Sequence, residues 1–180
     1  MRILKILRCK KGNMIPLAIV IVLVIVLIAC AIFEYVRLNI IAQGVRDAMQ
    51  SAVISVAAEN YDDVYAALRE GYSGGYSYGG SSWNERLDLS DVYGRLDGLL
   101  GLRRESGIHV KYTGDVVEYR LSNLNVNIIN APFAPSDRNA AQKFLAEATI
   151  ELEVPLSFGW SALPPMHITV KCKAGYTPKF

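Results

Sequence analysis

Apolar and polar positions follow a different period in each successive stretch of the chain. From Met14 to Phe33 there is no period: 19 of 20 positions belong to the AVILMFWYC set, Pro16 is the exception, and none is charged. From Leu38 the pattern changes to three- and four-residue spacings, through Ile41, Val45, Ala48, Ala52 and Ser55, a narrow stripe on one helical face. Inside it Gly44, Ala48 and Ala52 stand four apart, a seam of small residues that lets helix backbones approach closely. No breaker interrupts the pattern until Asn60-Tyr61-Asp62-Asp63, so one helix is expected to run to about residue 60. Asp62–Glu70 then reads as a short helix closed by Gly71.

The run from Gly71 to Ser82 holds five of the 14 glycines and three of the ten tyrosines, and reads as a flexible surface loop. Asp88 is positioned to cap a second amphipathic helix with Leu89, Val92, Tyr93, Leu96, Leu99 and Leu100 on one face, weakened by Gly94, Gly98 and Gly101. Beyond residue 105 the period becomes two. Ala146 to Phe158 and Met166 to Tyr176 alternate cleanly, with acidic residues outside the first strand and basic ones outside the second, as cross-strand ion pairs require. Ile108-Val110-Tyr112 and Val117-Tyr119-Leu121 flank Thr113-Gly114-Asp115, a hairpin signal. The inward parity then shifts to Leu124-Val126-Ile128, which predicts a bulge at Ser122-Asn123.

These elements predict an α+β chain with a four-stranded antiparallel sheet covered by helices. It divides into a basic leader (1–12), an apolar helix with its continuation (13–60), short helices around a Gly/Tyr-rich loop (61–105, the loop at 71–83), and the sheet (106–180).

The unpatterned block decides the class. Twenty helical residues span ~30 Å, the thickness of a bilayer's hydrocarbon core, and a lone segment in hydrocarbon satisfies its backbone only as a helix. Arg2, Lys5, Arg8, Lys10 and Lys11 precede the block, which places the N-terminus in the cytoplasm and everything from Glu34 outward across a cell membrane. Three fates for this N-terminus are open: cleavage at Ala29-Cys30-Ala31, lipidation at the lipobox-like Leu27-Ile28-Ala29-Cys30, or retention as an anchor. The helical pattern continuing through Ile32–Leu38 without Pro or Gly favours retention. Past residue 13 there are 14 basic against 17 acidic residues, so the folded part lacks the basic excess of a nucleic-acid binder.

Candidate chemistry is sparse. His109 and His167 fall on polar strand positions and read as solvated. Cys9, Cys30 and Cys172 fall in the leader, the apolar block and the sheet interior, so an internal disulfide is not expected. Glu151 and Glu153 read as structural partners of lysines on the neighbouring strand. No CxxC, GxSxG, HExxH or phosphate-loop motif occurs. The sequence therefore points away from an enzyme and implies no cofactor, no metal and no small-molecule substrate.

The leader ending Lys10-Lys11-Gly12, the single apolar helix, its Glu34-Tyr35-Val36-Arg37-Leu38 exit and the Ala-rich continuation resemble the TadE-like, type IV pilin-related proteins. The segments Val154–Phe158 and Leu163–Val170 are similar to the closing hairpin of that family. The resemblance implies a pilin-like fold and a pseudopilin or minor pilin of a Tad-type filament or secretion apparatus. It further implies partnership with the bilayer and other pilin-like subunits, and processing by a prepilin peptidase between Gly12 and Asn13. Five positions after that bond, where such pilins carry Glu, this chain has Leu17. The alternative reading is a single-pass anchored extracytoplasmic binding or adhesion domain that does not polymerise.

Overall fold

A computed structural model describes residues 14–68, 73–132, 142–157 and 163–178, with backbone alone over 62–68. The chain is α+β, as its patterning predicts, and forms two units, Met1–Leu38 and Asn39–Phe180. One helix, α1 (Ile15–Leu68), begins in the first and continues in the second. It is long and apolar enough to cross a membrane. Its apolar block is exposed all round, with Ile19, Leu23 and Ile28 each more than half accessible, as expected of a segment whose solvent is lipid.

α1 does not stop at Asn60–Asp63, contrary to the sequence pattern, and Asp62–Glu70 is not a separate helix as far as Leu68. Asn and Asp each cost less than about 0.7 kcal/mol relative to Ala in a helix. The burial of Val56 and Ala57 one turn earlier outweighs that penalty. The expected closure at Gly71 lies outside the described residues.

In the second unit, α1 buries Ile41, Val45, Met49, Ala52, Val53, Val56 and Ala57. Five antiparallel strands make the main sheet: β3 (Arg103–Glu105), β4 (Ile108–Thr113), β5 (Val116–Asn130), β6 (Phe144–Val154) and β7 (Met166–Tyr176), in that spatial order. Four were expected; the short β3, Arg-Arg-Glu, carries no apolar alternation to reveal it. Phe144, Ala146, Ala148, Ile150, Leu152 and Val154 alternate inward and are fully buried, and Val170, Cys172 and Ala174 continue the same face on β7. Register slips between Ser122 and Asn125, where Asn123 has φ 53°, so Leu121 and Leu124 are both buried. This is the expected bulge.

Two details of the outer face differ from expectation. Glu151 pairs in register with Thr169 and accepts from Asn123 Nδ2 at 2.8 Å, while Glu153 lies opposite His167 and forms an ion pair with Arg120 at 2.6 Å. Neither faces a lysine; Glu147 does, opposite Lys173.

The Gly/Tyr-rich stretch is more ordered than its composition suggests. β1 (Tyr76–Tyr78) and β2 (Trp83–Glu85) form a second, two-stranded sheet. Ser73 to Tyr76 is buried. Gly74 lies so close to α1 that an added Cβ would sit 1.6 Å from the Ala57 carbonyl oxygen, and one on Gly75 would sit 2.6 Å from the Phe144 ring. These glycines bring backbone against helix and core where no side chain fits. The Tyr176 hydroxyl links the same place, accepting from the Gly74 amide at 3.2 Å and lying 3.5 Å from the Ala57 carbonyl.

Candidate functional site

Two places bear on function: the outward side of α1, and a groove beside a second helix. On α1 the seam residues do not share one environment. Gly44 is exposed with open space around its Cα, Ala48 is half-buried, and Ala52 is fully buried in the core. Gly12 and Asn13 lie outside the described residues. Cys30 is exposed on the apolar helix and Cys172 is buried beneath the sheet, where burial pushes its thiol upward.

The groove is built by α2 (Leu89–Leu100) and the β3–β4 hairpin. α2 starts where Asp88 accepts from the Ser90 amide at 2.7 Å, and it ends at Gly101, whose φ of 62° is the left-handed conformation that closes helices. Val92 and Leu96 anchor it in the core. Leu99, expected on that face, is exposed. The carbonyl of Leu100 accepts from Lys111 Nζ at 2.5 Å, a cation at the negative end of the helix.

His109 is the main departure from the sequence reading. It is buried, not solvated, at 4% exposure. Its register partner Leu121 in turn pairs with Leu152, so His109 shares the core-facing side of the sheet, and Ile108, expected inside, is 39% exposed. By register the core-facing parity of β4 is the opposite of the one expected, yet Val110, on the other side opposite Arg120, is buried as expected. The core-facing positions of β4 are polar because they serve α2: Lys111 caps the helix, and His109 binds Asp97.

His109 Nδ1 lies 2.6 Å from Asp97 Oδ1. An ionised carboxylate only accepts, so Nδ1 carries the proton. The ring stacks on Tyr93 at 4.1 Å and 5° between planes. Tyr93 is itself fixed, its hydroxyl accepting from the Leu124 amide at 2.9 Å. Burial is the main cause that raises the Tyr93 phenol above its ordinary value. Helix, strand and ring thus hold one imidazole orientation.

His109, Asp97 and Tyr93 line an open groove of about 400 Å³ with Ser90, Gly94 and Arg104. Sequence reasoning missed this site because none of its members forms a motif; i, i+3 and i+7 spacing of Ser90, Tyr93 and Asp97 on α2 was the available signal. Among the described residues, no group of three or more His, Cys, Asp or Glu is placed to hold a metal. Compared with protein-family models, curated proteins and solved structures, the chain matches none.

Proposed function

We propose that this chain is a non-enzymatic, pilin-like subunit anchored in a cell membrane by one helix, with its folded unit on the extracytoplasmic side, serving a Tad-type or related filament or secretion apparatus. The observation that carries the reading is the continuity of α1. A single helix supplies an apolar, exposed span suited to lipid and then, without a break, the apolar cover of an antiparallel sheet. The five basic residues before Met14 supply the orientation, and the Lys11-Gly12-Asn13 leader supplies the processing step by resemblance to prepilins.

Gly44 gives the test. It is exposed, an added side chain there meets nothing within 4 Å, and so Gly44→Leu leaves the fold intact. If α1 packs against neighbouring subunits, the variant keeps or slightly raises its melting temperature yet drops out of the assembled fraction recovered from membranes or filaments. Equal recovery of Gly44→Leu and the parent protein would remove the lateral-packing role of this helix. A parent protein that stays monomeric in the membrane would leave the anchored binding domain as the better reading.

A further inference from the structure

We infer that the groove between α2 and the β3–β4 hairpin is a binding site for a monocarboxylate, held between His109 Nε2 and the Arg104 guanidinium. The inference is independent of whether the chain assembles.

Four observations lead there. First, His109 is a buried polar side chain with half of its capacity unused. Nδ1 is committed to Asp97, whereas Nε2 makes no hydrogen bond among the described residues, and the ring lines the groove. Nε2 is not sealed from solvent but opens onto the groove, where a ligand takes the place of water. Second, Arg104 is the direct cross-strand partner of His109, so both side chains leave the sheet on the same side, and Arg104 has no ion-pair or hydrogen-bond partner among the described residues. Its planar fork suits a two-oxygen acceptor.

Third, the charge fits one negative unit. With an anion bound, the imidazole carries protons on both nitrogens; His109 and Asp97 then cancel, and Arg104 leaves a single positive charge for the ligand. A dianionic phosphate would exceed it. The other titratable group on the wall is the Tyr93 phenol, which its raised pKa keeps neutral. Fourth, the groove is kept open at a cost. Gly94 sits inside α2, where glycine costs about 1 kcal/mol relative to alanine, and an added Cβ there would meet nothing within 4 Å. Its backbone conformation does not require glycine. What the missing side chain leaves is the space in the groove.

The site is read directly by NMR of the imidazole resonances of the full chain in detergent micelles. There are two histidines, and the exposed His167 on β7 serves as the internal control. Sodium acetate is expected to shift the His109 signals saturably and leave His167 nearly unmoved. Arg104→Ala, an exposed change, is expected to weaken acetate by about tenfold or more. Three results would each overturn the assignment: sodium chloride shifting His109 as acetate does, inorganic phosphate binding more tightly than acetate, or acetate binding unchanged in Arg104→Ala.

Discussion

Replacing Gly74 by alanine adds one methyl group where the chain passes closest to α1. The new Cβ would lie 1.6 Å from the Ala57 oxygen, 2.7 Å from its carbonyl carbon and 3.0 Å from the Tyr61 nitrogen. All three are backbone atoms of a helix that is itself packed, so no side chain can swing aside. Relief requires the segment to move by roughly 1.5 Å, in an interior that transmits strain rather than absorbing it. Overpacking of this kind costs ~1–3 kcal/mol. The same movement stretches the Gly74 amide bond to Tyr176 and the Ser73 amide bond to the Pro132 carbonyl, now 3.2 and 3.0 Å. Losing them adds ~1–2 kcal/mol. A total near 3 kcal/mol lowers the melting temperature of a unit this size by about 10 °C. Thermal unfolding of the detergent-solubilised chain, followed by near-ultraviolet circular dichroism, measures it. Gly94→Ala, with open space around it, should instead raise the midpoint by a few degrees, through ~0.5–1 kcal/mol. A Gly74→Ala midpoint within about 2 °C of the parent would show that this contact is not a packing constraint, and would refute the account of the glycine run.

Tyr119 is buried, which pushes its phenol up to about 12. A group raised in the folded state contributes stability below its unfolded value of about 10, and that contribution is lost as pH rises toward 12. Alkaline unfolding should therefore steepen across this window in the parent and flatten in Tyr119→Phe; identical curves would refute it. Cys172, buried with its thiol raised, should resist a polar maleimide in the folded protein and react once the chain is unfolded in urea.

The parts of the fold legible in the sequence are those where one period dominates. The membrane-length apolar block, the alternation of β6 and β7, the Asp88 cap and the parity slip at Asn123 each rest on local chemistry that tertiary context did not override. What escaped depends on contacts distant in sequence. The glycines at 74 and 75 are read as flexibility by composition, but their use is set by Ala57 and Phe144. β4 misleads for a related reason. Ile108 and Val110 outrank His109 and Lys111 in hydrophobicity, so the pattern turns their side inward; Val110 is buried as expected, but so is His109 on the opposite side, facing α2. Only the position of α2, with Asp97 and the Leu100 carbonyl, shows why polar groups belong there. The groove was invisible for the same reason: its members come from three elements and acquire meaning together.

The sheet is a simple meander, each strand hydrogen-bonded to its sequence neighbour, yet the helix that covers it is made first. Val45, Met49, Val53 and Val56 are synthesised before any strand of the sheet exists. At ~5–20 residues per second, the interval between making Met49 on α1 and making Ala174 on β7 amounts to roughly 6–25 s. For that time the nascent chain carries an uncovered apolar stripe, which is a kinetic hazard. A chain stopped before β7 would keep that hazard permanently, so truncation is a route to capture by holdases or proteases even when α1 is complete.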